Sequence, residues 1–133
     1  MIDRSKLLPI SGWAITLAVT LFMFGDVTSD VQRLPWAVIA NAGLGVPSNL
    51  VFAIGIAGLV CTLAYLAAPI TMLGAILMTG FFGGAVFTHV GVNGDVSDIG
   101  ETIGISVLAW TGLWLRDARI RTLLPIMRNR AQS

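Results

Sequence analysis

His89 is the single histidine of the chain, and it stands at the end of a long apolar stretch, as do Asp26, Asn49 and Glu101. Histidine titrates near neutrality, so a carboxylate at the same depth makes an acid–base pair able to move a proton. Asp26 and His89 are therefore the candidate catalytic residues. Trp36, Asn41, Asn49, Thr88 and Glu101 are the candidate ligand-binding residues around them, the few polar or aromatic groups that would orient a molecule between apolar walls. The plainer reading of Asp26 is a solvated helix end. For His89 it is a helix C-terminus, where an imidazole caps carbonyls and complements the dipole. No local spacing supports a His–Asp–Glu metal centre, so no metal is expected. Cys61 is the lone cysteine, which excludes an intramolecular disulfide, and its apolar company makes it a packing residue. No nucleotide loop, nucleophile elbow, HExxH or haem-attachment motif occurs.

The elements that must position these residues follow from composition. Of 133 residues, 56% are hydrophobic and only 11% charged, and the mean hydropathy is +0.85. A soluble domain carries about a quarter charged residues. The expectation is an all-α integral membrane protein, a four-helix bundle forming one transmembrane domain over residues 1–133. A net charge of +1 says nothing about nucleic acid, but the charges form no binding stripe along the chain, and no nucleic-acid partner is expected. A hydrocarbon core takes roughly 20 apolar residues to cross, and four stretches qualify, at about 7–24, 49–68, 70–90 and 99–115. The last is shorter and carries Glu101 at its outer end. In the long loop 26–47, Leu34–Ala40 suits a short interfacial helix with Pro35 in its first turn. The first apolar run leads into Phe22-Met23-Phe24-Gly25-Asp26, with no small-x-small cleavage site, so it reads as a retained helix.

Seven of the eight Lys and Arg residues fall at the two ends: Arg4 and Lys6, then Arg116, Arg119, Arg121, Arg128 and Arg130. An even helix count puts both ends on one side, and the positive-inside rule makes that side the cytoplasm. The expected location is the inner membrane, with multiple passes. Asp26, Asn49, His89 and Glu101 then share a depth near the outer face. The loops would add Asp30, Arg33, Asn93, Asp95 and Asp98, and the segment with Trp36 and Asn41 would form a lid. The cytoplasmic ends hold arginines and little else. Small residues offer a packing seam on each helix, among them Gly12 and Thr16, Gly55 and Gly58, Gly80 and Gly84, Gly100 and Gly104. Packing within one bundle is the first reading of these seams and a homo-oligomer contact the second. Trp13, Trp110 and Trp114 suit interfacial anchors.

Three stretches resemble the DoxX-like family of small bacterial membrane proteins. They are Tyr65-Leu66-Ala67-Ala68-Pro69 with Leu73-Gly74-Ala75-Ile76-Leu77, Thr79-Gly80-Phe81-Phe82-Gly83-Gly84-Ala85-Val86-Phe87-Thr88-His89-Val90, and Trp114 to Arg121 closing on Leu124-Pro125. The likeness runs from about Leu7 to Pro125. It implies a four-helix bundle in the cytoplasmic membrane and an association with redox chemistry, including quinone-linked sulfur oxidation. Many members end helix one with Ser-Gly and a Lys, and carry a Glu in helix two just before the cysteine. Here Gly25-Asp26 and Gly58 occupy those places. Both partners of an expected intramembrane ion pair are gone together, so neither charge is left alone and no role transfers from that pair. Thr88 and His89 remain.

The first functional expectation is an accessory or redox-associated membrane subunit that binds a lipophilic, quinone-like or isoprenoid molecule in a pocket opening outward. A quinone would then be the cofactor class, and the bilayer and that small molecule the partners. The alternative is an intramembrane enzyme, of isomerase or epoxide-opening cyclase type, with Asp26 and His89 as acid and base. A small transporter subunit comes third.

Overall fold

The structure of the protein, a computed structural model, describes residues 3–124, and no strand occurs among them. Pro125, Arg128 and Arg130 lie outside the described residues. The six helices are α1 (Arg4–Val31), α2 (Pro35–Gly43), α3 (Val51–Leu66), α4 (Thr71–Gly91), α5 (Val96–Arg116) and α6 (Ala118–Leu123), with a 3-10 turn at Ala68–Ile70.

α1 continues seven residues past Phe24, through a segment whose polar composition reads as loop. Two local features hold it helical. Thr28 Oγ1 donates to the Phe24 carbonyl and Ser29 Oγ to the Gly25 carbonyl at 2.6 Å, so both hydroxyls bond back to their own helix. The third reason is tertiary: Val27 is fully buried, and this last stretch of α1 packs on α3. Asp26 and Asp30 therefore lie on a helix, one turn apart and on one face, whereas the sequence reading put Asp26 at a helix end and Asp30 in a loop. The chain leaves α1 at Arg33, whose φ of 52° is left-handed.

α2 has Pro35 at its first position, where a missing N–H costs nothing. α5 starts at Val96, earlier than the apolar run, because Asp95 caps it by accepting from the Ser97 amide at 3.2 Å. Glu101 consequently sits inside α5 rather than at its outer end. α6 starts in the same way, the Asp117 carboxylate accepting from the Arg119 amide at 2.9 Å.

α1 packs against α3 and α5, α3 against α4, and α4 against α5, which closes a cycle around a core that includes Met23, Val27, Tyr65, Met78, Phe82 and Leu113. Small residues bring the backbones together at Gly12, Gly55 and Gly112, while Gly58 makes room for the Val27 and Phe81 side chains. A Cβ on Gly12 would lie 2.5 Å from the Arg116 amide nitrogen, and one on Gly55 2.7 Å from that of Val31. At Gly74 a Cβ would run into the Tyr65 backbone, which makes the α3–α4 turn tight. The expected seam at Gly80, Gly84, Gly100 and Gly104 is corrected: nothing lies within 4 Å of a Cβ built on any of the four. GxxxG spacing in an apolar helix marks a smooth face, and what covers that face depends on its neighbours.

The outside of the assembly is apolar, with Leu21 71% and Phe87 77% exposed. Arg4–Val31 and Ala68–Gly91 are long and apolar enough to cross a membrane, and only 28% of the apolar window of each is buried inside the protein. A core helix of a soluble domain would be mostly covered. These two face outward over most of their surface, as helices solvated by lipid do.

Candidate functional site

The end of the assembly away from Arg4 and Arg116 holds a cavity of about 550 Å³. The second half of α1 supplies Phe22, Asp26 and Asp30 to its wall, and α2 with the following turn supplies Asn41, Leu44 and Val46. The remaining walls come from Ile54 and Ala57 of α3, from α4 between Gly80 and His89, and from α5 between Asp98 and Ile105. The space exists because of Gly80 and Gly84. Both line it, and neither meets another atom where a side chain would start. A volume of this size lies within the range of small-molecule sites, about 300–1,000 Å³.

Five of the residues singled out from sequence, Asp26, Asn41, Thr88, His89 and Glu101, line this one space. Trp36 and Asn49 do not. Trp36 is exposed on the outer side of α2, and Asn49 is exposed in the turn before α3. Asp26 and His89 share the cavity without touching. Among the described residues the single ion pair is Arg119–Asp117, so no His89 nitrogen comes within 4.0 Å of an Asp26 oxygen. The backbone of His89 closes α4, its carbonyl accepting from the Gly94 amide at 2.7 Å.

Asp30 is the residue that sequence reasoning missed. It is only 6% exposed, lines the cavity, and has one side-chain hydrogen bond, from Asn41 Nδ2 at 2.9 Å. Asn41 also donates to the Ala37 carbonyl at 3.0 Å, so the carboxylate ties α2 down over the cavity. The nearby Arg33 points elsewhere and donates to the Ser48 carbonyl at 3.0 Å. The i, i+4 spacing from Asp26 was the available signal, hidden because the segment reads as loop.

A second hollow of about 290 Å³ adjoins the first and shares Phe22, Glu101 and Ile105 with it. Its other lining residues, Ile15, Ala18, Val19 and Leu108, are apolar and belong to α1 and α5. The cavity is thus continued sideways by an apolar groove between those two helices.

The opposite end is more structured than a fringe of arginines. Arg116 is held between Trp13 and Tyr65, its guanidinium carbon 4.6 and 4.9 Å from the ring centres, and donates to the Tyr65 carbonyl at 3.0 Å. Tyr65 in turn donates its hydroxyl to the Ala109 carbonyl at 2.7 Å. Trp110 and Trp114 spend their indole N–H groups inside the protein, on Thr79 Oγ1 and the Leu124 carbonyl. Asp117 accepts from Arg119 at this same end, and that partner holds its carboxyl below the usual carboxylate range.

Among protein families, the DoxX-like family matches residues 14–112. That span includes every described residue of the cavity and stops just short of the stretch from Trp114 to Arg121. No curated protein and no solved structure matches the chain.

Proposed function

The chain belongs to the DoxX-like family, and on that premise we propose that it is a multi-pass inner-membrane protein that binds a lipophilic small molecule in its cavity. In this reading α1, α3, α4 and α5 cross the bilayer as one bundle with both termini cytoplasmic, and the cavity opens at the outer face. The carrying observation is the 550 Å³ space itself, which has mostly apolar walls and a few polar groups at the helix ends. The groove between α1 and α5 adds a lateral route for an apolar tail. The role that fits is an accessory, redox-associated subunit, and a quinone-like or isoprenoid molecule is the ligand class the family association favours. The test is an organic extract of the purified protein analysed by mass spectrometry, run beside Gly84→Leu, which fills the cavity. A lipophile present in the parent extract and lost from the variant supports the reading. Identical extracts from both would sink it.

A second reading, acid–base catalysis by Asp26 and His89, draws support from their sharing the cavity. A substrate bound between them would provide the link that the two side chains lack.

A further inference from the structure

Four carboxylates line the cavity, those of Asp26, Asp30, Asp98 and Glu101, and among the described residues no lysine or arginine does, His89 being the one basic residue in the described wall. Asp30 is the decisive member. It is 6% exposed, its side chain is partnered only by the neutral Asn41 amide, and among the described residues no basic group pairs with it. Removing a carboxylate from water without a counter-charge is costly. A ligand that brings the charge gains an interaction strengthened by the surrounding low dielectric.

A hard metal ion fits this site poorly. Such ions take six or more oxygen ligands, and no group of three or more His, Cys, Asp or Glu among the described residues is placed to hold one. The walls instead include the rings of Phe22, Phe81 and Phe82. Aromatic faces attract cations, and most strongly where water is excluded.

From these observations we propose that the cavity selects a lipophilic organic cation, an ammonium-type head among the carboxylates with an apolar body along the walls and the α1–α5 groove. This inference rests on the reading of the cavity as a ligand site and specifies the charge of the head group. Asp30 and Asp26 hold the head, and Asn41 keeps the Asp30 carboxylate turned toward the cavity.

The test uses the full chain in detergent and three probes: tetraphenylphosphonium, its same-shaped anion tetraphenylborate, and the neutral decylubiquinone. Binding is measured by equilibrium dialysis against empty micelles. Tetraphenylphosphonium is expected to bind saturably and about tenfold or more tightly than tetraphenylborate, the effect of one close charge pair. Asp30→Asn keeps an acceptor for Asn41 and should weaken the phosphonium by about tenfold while leaving decylubiquinone unchanged. Asp26→Asn, at a position already exposed, is the second variant if Asp30→Asn fails to fold. Equal binding of cation and anion, or a phosphonium affinity indifferent to the foldable aspartate variant, overturns the proposal. If decylubiquinone alone binds and Gly84→Leu abolishes it, the charge assignment falls while the cavity stands as a ligand site. If no probe binds saturably, both fall.

Discussion

Tyr65 is fully buried at the end of the molecule opposite the cavity, and its hydroxyl donates to the carbonyl of Ala109, a residue within α5. Tyr65→Phe removes this hydrogen bond and leaves the Ala109 carbonyl its bond within the helix, at a cost of about 0.5–1.5 kcal/mol. A lower midpoint of thermal unfolding in detergent is the expected outcome, and an unchanged midpoint would show that water replaces the bond. At the cavity end the residue-scale question is coupling. Asp26 and His89 share a space but no hydrogen bond or ion pair. Asp26→Asn and His89→Ala are accordingly expected to reduce ligand affinity independently, with the double variant losing the sum of the two. A double variant no worse than either single one would reveal a unit bridged by the ligand. Asp26, Asn41, Thr88, His89 and Glu101 could be placed together from sequence because each lies near the boundary of an apolar run, and helices threaded up and down bring such boundaries to one level. Asp30 could not. Its burial depends on α1 continuing past Gly25, which packing on α3 decides.

The helices show where small residues matter and where they do not. Gly55 sits where a Cβ would press on the α1 backbone, so Gly55→Leu should overpack the α1–α3 contact. Overpacking costs about 1–3 kcal/mol or more when backbone is the obstacle. Gly84 has the same sequence signature and the opposite environment. Gly84→Leu adds a side chain to empty space and should leave thermal stability nearly unchanged while excluding ligand. Measuring unfolding of both variants side by side checks the contrast, and a Gly84→Leu protein destabilised as much as Gly55→Leu would mean that α4 lies closer to its neighbours than the structure places it. The existence and type of the long helices were legible because apolar runs mark them, whereas their lengths were not, since α1 runs to Val31 and α5 begins at Val96 on its Asp95 cap. The uses of their glycines were not, because a glycine on a smooth face looks the same whether a backbone or a cavity lies opposite.

At the scale of the whole molecule, the two ends differ in charge and in construction. Arg4, Lys6, Arg116, Arg119 and Arg121 gather at one end, where Arg116 is wedged between Trp13 and Tyr65 and Arg121 Nη1 donates to the Trp114 and Leu115 carbonyls at 3.2 and 2.6 Å. Asp26, Asp30, Asp95, Asp98 and Glu101 gather at the other. A chain inserted with this asymmetry keeps its Lys and Arg on the cytoplasmic side. In the proposed orientation the cavity is reached from the outer side or from the bilayer, and not from the cytoplasm. With Cys61 replaced by Ala, single cysteines at Ser5 and Asn93 report the two ends. A thiol reagent that cannot cross the membrane should label position 93 in intact cells and leave position 5 untouched until the cells are broken. Labelling at position 5 in intact cells would reverse the orientation and place the acidic cavity on the cytoplasmic side. Labelling at both positions would mean that the chain inserts both ways, as a molecule with too little charge asymmetry does. Five basic groups at one end against Arg33 alone at the other is a large asymmetry for so short a chain, and single labelling at position 93 is the outcome that the proposed orientation expects.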